Sequence, residues 1–309
     1  MPTAASLAGK DAPALAEIVA QVVERWPEHE TFLANGLAGL DAGSLRDTEE
    51  IASLVRKLVE PELDAVVASY RWLCRRLLDE ELFFRRHGRY RHASIREVEE
   101  SGFYESEDVH HYHRGLLLSQ VLWRNHAAIS QVYVRDFLSR CDPGSRLLEV
   151  GPGHGLFLAL AARHATRSLT GWDISPESLH YTRRNLAEMG VRGVDLALHD
   201  IQDGVPENGG FDRVVASELL EHVENPEEVL RSLTGVMNQG AEIFINVPVN
   251  SPAPDHIFLW STPEDFFALI SASGIIPVKS YTFPMSGYSE ERAVADRVTI
   301  SCVVIGRVG

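Results

Sequence analysis

The sequence predicts an α/β protein: a doubly wound, mostly parallel seven-stranded sheet with an antiparallel carboxy-terminal hairpin, preceded by an all-helical amino-terminal domain. Three observations carry this. From residue 146 onward, short apolar runs alternate with stretches of helical composition, the pattern of parallel strands joined by crossover helices. Residues 1–140 show helical periodicity almost alone. The last two strand-like segments, 276–283 and 297–308, have no helical pattern between them, which suits an antiparallel closing pair.

In the first region, "APALAEIVAQVVERW" keeps apolar residues at helical spacing and stops at Pro27. Ser44 opens a second helix, and Pro61 a third as a first-turn proline. Ser94 and Glu97 have capping-box spacing ahead of a short helix ended by Gly102. A longer helical stretch runs to residue 138 with an expected break near Gly115. "CDPGS", residues 141–145, is the boundary between a helical domain at 1–140 and a second domain at 141–309.

In the second region the strands are "RLLEVG", 168–174, 194–200, 211–217 and 241–249. Helices begin at Ser175-Pro176, Asn225-Pro226 and Thr262-Pro263, each a polar cap followed by a first-turn proline.

Bulk properties narrow the function. A formal charge of −15 disfavours nucleic acid, whose binding rests on cationic contacts to phosphate, and disfavours an anionic membrane surface. Cys74, Cys141 and Cys302 are odd in number and scattered, without metal or disulfide spacing, so a reducing cytoplasm is expected. No apolar run is long enough to span a bilayer. One counter-current is the arginine-rich stretch 71–92, read either as a solvated helix face or as a dock for an acidic substrate or carrier protein.

Residues 147–155, "LLEVGPGHG", place Glu149 and three alternate glycines, Gly151, Gly153 and Gly155, between a buried strand and a helix. Such a turn lets backbone N–H groups approach a ligand closely. The dinucleotide fingerprint is G-x-G-x-x-G, whereas the spacing here is G-x-G-x-G. This resembles the first motif of the class I S-adenosylmethionine-dependent methyltransferases, and residues 146–309 are similar to that family segment by segment.

The resemblance implies roles. The glycine turn takes the methionine part of the cofactor, and Glu149 supports the loop and the ligand's ammonium group. Asp173, 22 residues beyond Gly151, accepts the ribose hydroxyls with Ile174 beside it. Asp200 and Ile201 meet the adenine, Glu218 lies in the loop after the fourth strand, and Tyr112 belongs to a lid over the cofactor. The bland alternatives are a helix cap for Asp173, a turn former for Asp200 and a packed helix residue for Tyr112.

"SELLEHV" then gathers Glu218, Glu221 and His222, and His256 follows 34 residues after His222 at the same edge of the sheet. The pattern is similar to that of small-RNA 3′-terminal ribose methyltransferases, in which two glutamates and two histidines hold a divalent cation. It also resembles the E-x-x-E-H of ubiquinone-pathway O-methyltransferases. Glu221, His222 and His256 are therefore the candidate catalytic residues. Glu218, Glu221, His222 and His256 are the candidate ligands of a divalent metal (Mg, Mn, Zn or Fe), set against a metal-free reading in which His222 alone is the base.

The function expected is methyl transfer from S-adenosylmethionine to a small organic molecule, by O-methylation in bacterial secondary metabolism. Metal-assisted C-methylation of a 2-oxo acid or similar enolisable acceptor stands beside it, as do a non-catalytic cofactor-binding scaffold and a nicotinamide oxidoreductase. The partner is a small-molecule substrate, and the helical addition implies a homodimer.

Overall fold

A computed structural model describes residues 3–9, 11–38, 40–104, 106–164, 168–204 and 210–309. The amino-terminal region is helical: α1 (Ala4–Ala8), α2 (Pro13–Arg25), α3 (Glu30–Leu37), α4 (Ala42–Val59), α5 (Leu63–His87), α6 (Ile95–Glu100), α7 (Glu107–Leu122) and α8 (Arg124–Val132). Polar caps start many of these helices, as at Asp41, Ser94 and Ser106, whose side chains accept backbone N–H bonds. At Ser94 the box is shifted: Glu97 accepts from the Ala93 N–H.

The carboxy-terminal region alternates β1 (Arg146–Val150), α9 (Leu156–Arg163), β2 (Ser168–Asp173), α10 (Pro176–Glu188), β3 (Val194–Leu198) and β4 (Phe211–Ser217). Then follow α11 (Pro226–Gly235), β5 (Met237–Val249), α12 (Pro263–Ala272), β6 (Ile276–Pro284), α13 (Glu290–Asp296) and β7 (Ile300–Arg307). The order across the seven-stranded sheet is β3-β2-β1-β4-β5-β7-β6, with β7 antiparallel to both neighbours and every other pairing parallel. The strand order reverses between β1 and β4, so a crevice opens at their carboxyl ends. The mostly parallel sheet with its antiparallel closing pair is as the sequence predicts.

Two expectations are corrected. Gly115 does not break α7, which runs unbroken to Leu122. A Cβ at 115 would stand 2.8 Å from Leu73 Cβ and 3.0 Å from the Ser69 carbonyl oxygen, so the glycine serves the close crossing of α7 over α5. The closing hairpin also carries a helix, α13, capped by Ser289 and ended by Arg297 at φ 51°. Seven residues are too few to show an apolar stripe in sequence.

Hydrophobic packing joins the two regions. Leu15, Ile51 and Phe137 share one buried cluster with Phe157, Phe244 and Ile305. Tyr133 stacks on Phe157 at 4.4 Å between ring centroids. The opposite face of the sheet buries Val214 and Ile245 against Leu230 and Phe266. Among the described residues no helix is long and apolar enough to cross a membrane.

Candidate active site

The glycine turn leaves β1 with all three glycines at positive φ: 68° at Gly151, 48° at Gly153 and 74° at Gly155. A side chain at 151 or 155 would also press on Leu219, or on Thr182 and Leu186, at 3.1–3.3 Å. An L-residue would therefore be strained at all three positions and crowded as well at 151 and 155. Glu149 points inward at 4 % exposure, and burial pushes its carboxyl well above the ordinary range against one N–H bond from Leu158. Its Oε2 finds no donor among the described residues.

Asp173 closes β2. Its Oδ1 accepts the Ser175 N–H at 2.9 Å and its Oδ2 the Ser178 hydroxyl at 2.6 Å, so the start of α10 fixes the carboxylate. Ile174 beside it is 68 % exposed. Asp200 accepts the Gln202 N–H at 2.9 Å, and Ile201 is buried. Both aspartates thus cap local turns, and both retain lone pairs at the carboxyl edge of the sheet.

After β4 the chain turns sharply. Glu218 sits at φ 50°, and Asn250, after β5, at 49°. Non-glycine residues in this region store strain, and such strain gathers where a site needs it. Asn246 of β5 donates to Glu218 Oε1 at 2.5 Å. Burial pushes Glu218 up to about 7. It pushes Glu221 well above the carboxylate range, with the neighbouring Glu218 charge adding to the effect. The side chain of Glu221 is fully enclosed, and among the described residues neither oxygen is hydrogen-bonded by another residue's N–H; Glu218 is the neighbour close enough to share a proton.

Two histidines complete this cluster. His222 Nδ1 lies 3.0 Å from the Asp255 carbonyl oxygen, and His256 Nδ1 lies 2.7 Å from that of Ser251. A carbonyl only accepts, so each Nδ1 carries the proton and each Nε2 keeps its lone pair. The rings stand 4.9 Å apart, nearly perpendicular, and His222 Nε2 is 3.9 Å from Glu221 Oε1. Burial lowers His256 to about 4, which keeps it neutral at neutral pH. Ligating atoms of Glu221, His222 and His256 lie within 4.8 Å of one another. Glu218 stands outside that trio, tied to Asn246.

Helix α7 lies over both halves. Tyr112 is buried with its hydroxyl toward Asp255, near Glu218 and Glu221. His113 stacks on Tyr181 of α10 at 5.7 Å and faces Asp173 and His154. His111 turns to Ser69 on α5 at 3.0 Å, so the three histidines of this helix part company. Trp123, Asn125 and His126 are packing residues bonded to Tyr70, Ser301 and Ser119.

The sequence reading did not single out Asn246, Asp255, Asn250, Tyr90 or His154; it noted His113 only within the cluster of His110, His111 and His113, as an unfavoured ligand trio. Asn246 had a signal, a lone amide within the apolar run of β5. Tyr90 had none: its hydroxyl accepts the Ser251 N–H across 161 positions.

Comparison with known proteins bears on the carboxy-terminal region. A family model for a methyltransferase domain matches residues 123–273. A ubiquinone biosynthesis O-methyltransferase of Xanthomonas axonopodis pv. citri (strain 306) is 32 % identical over 128 residues, covering 41 % of this chain and 53 % of its own. The chain thus spans about half the length of the curated relatives it matches. The N-methyltransferase NodS of Bradyrhizobium japonicum WM9, solved with S-adenosyl-L-homocysteine, shares 18 % identity over 53 % of this chain and 78 % of its own, at a TM-score of 0.42. The [4+2]-cyclase SpnF shares 20 % over 60 % and 83 %, at 0.48. At such values neither structure adds to the assignment. With the glycine turn, the strand order and the closing hairpin in place, the matched region is a class I S-adenosylmethionine-dependent methyltransferase domain.

Proposed function

We propose that the protein transfers the methyl group of S-adenosylmethionine to a hydroxyl of a small organic acceptor, with His222 as the base. The observation that carries this is the His222 ring. Its Nδ1 is pinned to a backbone carbonyl, which leaves the Nε2 lone pair beside the end of β4, next to the cofactor turn. A sulfonium methyl is already activated, so alignment of the acceptor, exclusion of water and removal of one proton suffice. Glu221, 3.9 Å away and held toward its protonated form by burial, offers the resulting imidazolium a carboxyl dipole rather than a full opposite charge. His256, held neutral by burial, serves as a hydrogen-bond partner rather than a base. The O-methyltransferase relative supports small-molecule O-methylation, and a place in bacterial secondary metabolism is part of the proposal alone.

A second reading has its own observation. Glu221, His222 and His256 converge with two free imidazole nitrogens and an unmatched carboxylate, a donor set that fits a divalent cation. An ion held there would act as a Lewis acid toward an enolisable acceptor such as a 2-oxo acid.

One experiment separates these readings. Purified protein is given S-adenosylmethionine and a panel of catechols and 2-oxo acids, with and without EDTA, and products are read by mass. Chelator-insensitive O-methylation supports the first reading, and chelator-sensitive C-methylation the second. If calorimetry shows no S-adenosylmethionine binding, both fall and a scaffold remains.

A further inference from the structure

The arginine-rich stretch does more than cover α5 with charge. Arg76 and Arg91 converge on Glu80, a carboxylate only 1 % exposed. Arg91 Nε is 2.9 Å from Oε2, and Arg76 Nη2 is 3.3 Å from Oε1. Arg76 Nε is buried without an acceptor among the described residues. Arg91 is steadied further by the Phe83 ring, 4.5 Å from its guanidinium carbon.

These two guanidiniums line a cavity of about 180 Å³ together with His92, Ser106, Phe103 and Pro254. Its inner wall borders the candidate active site. Pro254 immediately precedes Asp255, whose carbonyl holds His222, and the Phe103 ring meets Tyr112 edge-on at 5.5 Å. The cavity therefore lies against the site on the side of α5 and α6, away from the glycine turn.

We infer that this cavity binds the carboxylate of the acceptor, gripped by Arg76 and Arg91 and directed toward the His222 cluster. It rests on the methyl-transfer reading for the word acceptor. Geometry selects a planar anion of low charge. The two guanidiniums are balanced by Glu80 and by Asp108, which also lines the cavity, so the grip comes from the guanidinium N–H donors, helped by the amino end of α7. A planar carboxylate matches the guanidinium fork, whereas a phosphate dianion would exceed the charge available. Glu80 serves as the buried post that fixes both forks, which is why a carboxylate with almost no exposure sits between them.

The test uses the full chain saturated with S-adenosyl-L-homocysteine, titrated calorimetrically with benzoate and with benzamide, its uncharged isostere. Benzoate is expected to bind one site at least about tenfold more tightly than benzamide, the worth of one charge-assisted pair. Arg91→Gln is expected to remove that preference while homocysteine-cofactor affinity stays unchanged. The inference is overturned if benzoate does not bind, if its preference over benzamide falls short of that, or if folded Arg91→Gln retains it. The ligand comparison is made on the unaltered protein, so a variant that fails to fold leaves the test intact. Absence of S-adenosyl-L-homocysteine binding would instead sink the methyl-transfer reading and leave a carboxylate site of another purpose.

Discussion

The cofactor cleft and the His222 cluster meet at one edge of the sheet but are built differently. In the cleft, most polar groups are oriented by close chain neighbours. Asp173 is held by Ser175 and Ser178, Asp200 by Gln202, and the Gly155 N–H by the Pro152 carbonyl. In the cluster the restraints on His222, Glu218 and the Glu221 backbone carbonyl include long-range ones, while His256 is held five positions away by Ser251. Asp255 orients His222 across 33 positions, Asn246 holds Glu218 across 28, and the N–H groups of Ile257 and Phe258 both reach the Glu221 carbonyl. The cleft also leaves its aspartate lone pairs open to a ligand, whereas the cluster buries carboxylates that lack donors. Ligand grip is encoded in local turns, and reactivity in how distant segments are brought together.

If that division is real, substitutions on the two sides should split rate from affinity. The largest effect is expected from His222→Ala, which should lower kcat by about 10²- to 10⁴-fold, the usual span for a general base. Its S-adenosylmethionine affinity should hold. A fall in affinity as large as the fall in rate would merge the two regions into one. Asp173→Ala should do the reverse. Losing hydrogen bonds to a charged acceptor costs about 1.5–3 kcal/mol, or about 10- to 150-fold in cofactor affinity by calorimetry. Asp173→Asn, with the Ser175 cap retained, separates lost grip from a loosened α10.

The same division explains what was legible in the sequence. Strand and helix order, the glycine turn and the two aspartates were readable because period, capping residues and motif spacing are local quantities. The E-x-x-E-H run was readable for the same reason, since Glu218, Glu221 and His222 share one short segment. His256 needed the resemblance, and Asp255 beside it went unremarked because nothing in "PAPDHIF" shows that its carbonyl orients His222. The misjudged Gly115 has one cause: its role is set by Leu73 and Ser69 on another helix. Helix α13 was missed because it is too short to display periodicity.

Tyr112 sharpens the comparison, because α7 reaches both regions. Tyr112→Phe keeps the packing against Phe103 and deletes only the hydroxyl that faces Asp255. A neutral hydrogen bond is worth about 0.5–1.5 kcal/mol, so kcat should drop about two- to tenfold with cofactor affinity nearly unchanged. A larger effect on affinity than on rate would assign Tyr112 to the cleft as a lid.

The last effect appears only as a pH dependence and concerns Glu149, whose raised carboxyl is an exception to the open character of the cleft. A carboxyl with a raised pKa binds more protons in the folded than in the unfolded chain, so its contribution makes the fold less stable as pH climbs above 4.5. A bound cation reverses this preference by favouring the ionised form. S-adenosylmethionine brings an ammonium and a sulfonium, so its binding should release a proton and its affinity should rise with pH. The slope is at most about tenfold per unit and ends once the carboxyl is already ionised in the free protein. Titrations in buffers of different ionisation heat would measure that release. Glu149→Gln should flatten the pH dependence and abolish the proton release. If the variant keeps the full slope, the titrating group lies elsewhere, and His113, which faces Asp173 from α7, becomes the residue through which the helical region senses the cofactor.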